Sequence, residues 1–99
     1  MEDYNNIAWV EGFMGYSKVF TKEQKCYVFT ECLKYFEDRL PHDLFLRTCG
    51  SYIVNTSYVK RLFPQSGKTI AVMNDLNQVA VAPEKTQILG AMMLNNRKE

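Results

Sequence analysis

The sequence predicts a mostly helical α+β domain of four to five helices with one β-hairpin near residues 69–82. Three observations carry that expectation: an apolar pattern at helical spacing through residues 22–40, two β-branched runs parted by Asn and Asp after Lys68, and a return of helical spacing beyond Pro83. The 99 residues are 46% apolar and 13% aromatic with a net charge of +1, which supplies one core and argues against disorder. Residues 1–99 are therefore expected to form a single compact domain.

Asp3 is placed to cap a first helix reaching about residue 14, where Ile7, Val10, Phe13 and Met14 recur beside Trp9 and Gly15 serves as the C-terminal cap. Thr21-Lys22-Glu23-Gln24 fits a capping box, which opens the central helix over 22–40. On a wheel Cys26, Phe29, Leu33, Phe36 and Leu40 share a face, and Val28, Cys32 and Tyr35 form a stripe beside it. Pro41 closes that helix or opens the next, because its ring is tolerated only in a first turn. A third helix is expected over 42–54 with Leu44, Phe45, Cys49, Tyr52 and Ile53 inward. The cap residues Asn55, Thr56 and Ser57 then start a short fourth over 57–63, stopped by Pro64. Residues 69–72 and 78–81 make the hairpin, and Ile88, Leu89, Met92 and Met93 place a terminal helix up to about residue 95.

Gly67-Lys68-Thr69 matches the last three positions of a phosphate-binding loop. That loop also needs a glycine at 62, where Leu62 stands, with a buried strand before it and a helix after it. The segment before reads as helix and the one after as strand, so the tripeptide reads as a corner. Cys26 and Cys32 on one helix would lie about 120° apart, too far around to share a metal. His42 and Cys49 would be two turns apart, roughly 10 Å, too distant for a nucleophile and its base. The expectation is a protein without catalysis, metal, cofactor or small-molecule ligand.

The longest apolar runs are a few residues, far short of the roughly 20 that cross a bilayer, and the acidic start lacks the basic region of a secretory signal. Three cysteines with no disulfide spacing agree with a reducing, cytoplasmic location and no membrane partner. The abundance of Asn, Lys, Tyr and Phe with little Ala resembles an A+T-rich coding bias of the kind phages and viruses show. Residues 1–43 carry eight acids against five bases, and 44–99 carry three acids against seven bases, so the second half is the basic one.

Two functions fit these features. The first is a small regulatory or adaptor module that binds another protein, host or self, through an aromatic-rich helical surface, with Trp9, Tyr16, Tyr27 and Tyr35 as anchors. The alternative is a winged-helix-like nucleic-acid-binding domain. In it a helix over 57–63 and the following wing would offer Tyr58, Lys60, Arg61 and Lys68 to phosphates.

Overall fold

The structure, a computed structural model, describes residues 3–96. Among them the chain forms eight strands and two α-helices, so the expected helical domain is corrected to a β-rich one. In order these are Ile7–Phe13 (β1), Tyr16–Thr21 (β2), Cys26–Phe29 (β3), Leu33–Arg39 (α1), Phe45–Arg47 (β4), Tyr52–Asn55 (β5), Val59–Gln65 (β6), Lys68–Met73 (β7), Gln78–Val81 (β8) and Pro83–Asn95 (α2). Two antiparallel sheets result, one ordered β3-β2-β1-β5-β4 and the other β6-β7-β8.

The segment expected as the first helix is β1, the middle strand of the larger sheet and buried on both faces. A bulge between Ile7 and Trp9 shifts its alternation. Ile7 and Val10, three residues apart, therefore fall on one side of the sheet while Ala8 and Trp9 fall on the other. A bulged strand thus imitates one turn of helical spacing. Met14 and Gly15 then take φ of 50° and 84°, the two-residue turn whose twist matches a hairpin.

The expected central helix divides into a strand and a shorter helix. Thr21 does act through its hydroxyl, but Oγ1 accepts from the Lys25 N–H at 3.1 Å and its carbonyl accepts from the Gln24 N–H at 2.9 Å, with Gln24 at φ 68°. This is a hairpin turn into β3. Helix begins only at Leu33, and Leu33, Phe36 and Leu40 alone keep the inward placement of the predicted stripe. Cys26, Phe29 and Cys32 are exposed.

Residues 42–54 hold β4, a connecting segment and β5, with Phe45 and Ile53 packed under α1. Asn55 is a cap as its chemistry suggests, since Oδ1 accepts from the Ser57 N–H at 3.0 Å while Nδ2 donates to Ile7 O at 2.9 Å. What it caps is a single 3-10 turn, Thr56–Tyr58, and β6 replaces the expected fourth helix. Ser66 and Gly67, at φ 53° and 78°, turn β6 into β7 with Gln65 opposite Lys68. The Gly67-Lys68-Thr69 tripeptide is this corner. Gly67→Ala is expected to cost about 1 kcal/mol through its left-handed φ alone, because a Cβ there meets no atom within 4 Å; chemical denaturation measures it.

Burial explains how the layers join. Ala8, Trp9 and Val54 of the larger sheet meet Val59, Ala71, Met73, Val79 and Val81 of the smaller, and Leu89 of α2 closes that core. Trp9 stacks on Phe20 with ring centroids 4.0 Å apart, adding a modest term to the area it buries. On the opposite face α1 covers Ile7, Val10, Val19, Phe45 and Ile53 with Leu33, Phe36 and Leu40. Among the described residues no helix is long and apolar enough to cross a membrane.

Candidate nucleic-acid interface

Three chain connections meet at one end of the molecule. β1 and β4 both run toward it, so the turn at Met14 and Gly15 and the segment 48–51 lie side by side, tied by the Gly12 N–H donating to Ser51 O at 2.8 Å. Thr48 brings in the third. Its N–H donates to Tyr52 O at 3.0 Å, its hydroxyl to Ala80 O at 2.9 Å, and its carbonyl accepts from the Ala82 N–H at 2.7 Å. Ala82 is the N-cap of α2, so a fully buried threonine fixes the start of that helix against the loop of the other sheet.

Cations gather here from four separate elements. Lys34 at the start of α1, Arg47 at the end of β4 and Lys85 in the first turn of α2 line one groove. Lys34 and Arg47 also line a second groove with Phe13, Met14, Tyr16 and Gly50. Lys18 lies 4.7 Å from the centroid of the exposed Phe13 ring. Arg47 is already occupied: Nε donates to Cys49 O at 3.2 Å, Nη2 to Gly50 O at 2.9 Å, and Nη1 to Glu37 Oε1 at 2.9 Å. It therefore shapes the loop from below. Lys34 pairs with Asp38 at 3.0 Å, and that carboxylate, with Glu37, holds its ammonium above the ordinary lysine range. The lysine stays charged and exposed. At the N-terminus of α2 Pro83 has no N–H, the Lys85 N–H donates to Ala82 O at 2.9 Å, and Glu84 stands in the first turn, so Lys85 is the cation this helix start contributes.

The far end carries charges of both signs, Lys22 and Lys25 sharing one turn with Glu23. Glu23 and Asp75 both act on Tyr58, whose hydroxyl is pushed up chiefly by burial and then by those two carboxylates. Asn96 Nδ2 donates there to Asp43 O at 3.1 Å, and Asp3 caps the 3-10 turn that leads into β1. Of the sequence-predicted phosphate contacts, Tyr58 thus sits at this end. Lys60 and Arg61 follow it at the beginning of β6, whereas Lys68 lies at the other end of the same hairpin, beside the start of α2, where Thr69 pairs with Val81 and accepts from the Thr86 hydroxyl at 3.1 Å. From Arg61 to Gln65, the partner of Lys68, the strand advances roughly 13 Å, so these residues do not converge as a recognition helix and wing would.

The predicted protein-binding anchors are scattered as well. Trp9 is 6% exposed and belongs to the core, whereas Tyr16, Tyr27 and Tyr35 are exposed on β2, β3 and α1. Tyr35 stacks under the Arg39 guanidinium at 3.8 Å. His42 contacts Glu37 O through Nε2 at 2.9 Å and Cys49 sits in the 48–51 loop. Among the described residues no three His, Cys, Asp or Glu side chains are grouped as a metal would need. Sequence reasoning missed Lys18, Lys34, Arg47, Gly50 and Lys85, which share no spacing and meet only through the two sheets.

Comparison with known proteins places this geometry in context. The sequence model of the family described as the LytTr DNA-binding domain matches residues 1–93. Among solved structures, the chain is similar to the LytTr DNA-binding domain of a protein described as a methyl-accepting/DNA response regulator from Bacillus cereus. The two superpose with a TM-score of 0.80 at 22% identity, covering 93% of this chain and 84% of that one. A search of curated proteins finds no significant match.

Proposed function

The chain belongs to the LytTr DNA-binding domain family, and we propose that it holds duplex DNA with the end where the 14–15 turn, the 48–51 loop and the start of α2 meet. The expected protein-binding adaptor with a helical surface gives way to this reading, as does the winged-helix version of DNA binding, because 57–63 is a turn and a strand. The observation that carries the choice of surface is the junction at Thr48, whose hydrogen bonds hold the 48–51 loop against the start of α2 beside the 14–15 turn, where Lys18, Lys34, Arg47 and Lys85 lie among Glu11, Glu37, Asp38 and Glu84.

The residues divide into two roles. Lys18, Lys34 and Lys85 suit phosphate oxygens, which fix register and orientation. The two loops, narrow at Gly15 and Gly50 and flanked by Tyr16, suit entry into a groove where base edges are exposed. Arg47 is a positioning residue that holds the Cys49 and Gly50 carbonyls. Neither role needs a metal, a cofactor or a reacting group.

The test is the salt dependence of binding to a mixed-sequence duplex. Lys85→Ala is expected to weaken binding and lower the slope of log K against log salt by about 0.9, one phosphate contact. Lys60→Ala with Arg61→Ala is expected to leave that slope unchanged. The reverse pattern would move the interface to β6.

A further inference from the structure

We propose that β3 is a self-pairing edge, at which two copies of this chain join antiparallel to make one continuous sheet. The sheet order leaves β3 terminal, and Cys26–Phe29 is exposed along its whole length. The Thr21 N–H donates to Lys25 O at 2.9 Å, which sets the alternation along the β2–β3 ladder. Lys25, Tyr27 and Phe29 accordingly direct their backbone groups toward β2, and Cys26 and Val28 direct theirs outward. An open pair of donor and acceptor is thus centred on Val28.

The other edges are protected and this one is not. β6 carries Lys60, Arg61, Pro64 and a bulge, all devices that discourage pairing. β4 has three residues, and Ala80 O of β8 already accepts from Thr48. β3 contains no charge, and Val28 is 66% exposed. The segment Lys25-Cys26-Tyr27-Val28-Phe29-Thr30-Glu31 is also complementary to its own reverse. With Val28 opposite Val28 of a second copy, Tyr27 faces Phe29 within the strand, and Cys26 faces Thr30 and Lys25 faces Glu31 once pairing extends β3 through the bend that Thr30 and Glu31 form in the single chain, each contact occurring twice. Opposed residues then share a face of the joined sheet, as antiparallel pairing requires, and aromatic and opposite-charge pairs are the ones that favour it. The occupant that fits this pattern of charge is a second copy of the chain.

The antiparallel arrangement turns the two Gly50 loops in opposite directions. If DNA is held at that end, which rests on the preceding reading, the pair bridges two duplexes instead of covering adjacent sites on one.

Sedimentation of the full chain without DNA tests the proposal independently of that reading. A concentration-dependent monomer–dimer equilibrium is expected, abolished by Val28→Lys with the melting temperature retained. Lys25→Glu alone and Glu31→Lys alone should each weaken the dimer about fivefold or more, since each sets like charges opposite one another twice, and the double variant should restore it. A monomer at every concentration would overturn the proposal and leave the edge to a foreign extended strand. A dimer insensitive to Val28→Lys, or one the double charge exchange fails to restore, would also overturn this pairing.

Discussion

Phe36→Ala is expected to destabilise the domain by about 3–5 kcal/mol, whereas Phe29→Ala is expected to cost roughly 1–2 kcal/mol, although the two rings touch. Phe36 is 3% exposed beneath α1, in the cluster with Leu33, Leu40, Phe45 and Ile53, so truncation leaves a cavity that a strand and a helix cannot both collapse to fill. Phe29 is 38% exposed on β3 and meets Phe36 only edge to face, at 5.5 Å between centroids. In a domain of ordinary stability the first change consumes a large part of the total and lowers the melting temperature by more than about 10 °C. Calorimetry on the two variants separates a strand followed by a seven-residue helix from one continuous helix over 22–40. In the continuous helix both phenylalanines would be core residues and both truncations equally severe.

Gly50→Glu is expected to abolish most DNA binding while leaving the fold intact. A Cβ at Gly50 meets no atom within 4 Å, and its φ lies outside the left-handed region, so the substitution adds a carboxylate without strain. The stability change should stay within about 0.5 kcal/mol, as for surface positions generally. The carboxylate lies in the loop that Arg47 holds and beside the groove lined by Lys34, within the proposed interface. Affinity for a mixed-sequence duplex should fall about tenfold or more, equivalent to roughly 1.4 kcal/mol, and high salt should narrow the gap as screening weakens the repulsion. Undiminished binding by a folded variant would remove the 48–51 loop from the interface.

Much of the local chemistry was legible in the sequence, and the errors arose where tertiary structure reassigned it. The hairpin around residues 69–82 and the helix after Pro83 stand where their β-branched runs and helical spacing put them, but the hairpin is two strands of a three-stranded sheet. Thr21 and Asn55 do bind backbone amides through their side chains, yet the same hydroxyl or amide serves a hairpin turn and a 3-10 turn as readily as a helix. β1 misleads because its bulge places residues three apart on one face. β3 misleads for another reason: exposed on both sides, it has no burial to impose a period of two, and its apolar residues merge with the inward face of α1. Short strands such as β4 and β5 give too few alternations to outweigh a helical count.

The candidate interface was less legible still. The winged-helix order of 42–54, 57–63 and the hairpin pointed to Tyr58, Lys60, Arg61 and Lys68, of which Lys68 lies beside the start of α2. The cations that meet in space come mostly from β2, α1, β4 and α2, and the hydrogen bonds of Thr48 join the last two of these elements. No linear spacing encodes that meeting. It follows only once β1 and β4 are known to run to the same end as the start of α2.

The most direct measurement is an amide NMR titration of the chain with a mixed-sequence duplex at low salt. The account predicts that the amides of Gly15, Gly50 and Lys85 shift first and furthest, while those of Tyr58, Arg61 and Asp75 hardly move. Leading shifts at Tyr58, Arg61 and Asp75, with Gly15, Gly50 and Lys85 unmoved, would contradict it and place DNA at the opposite end.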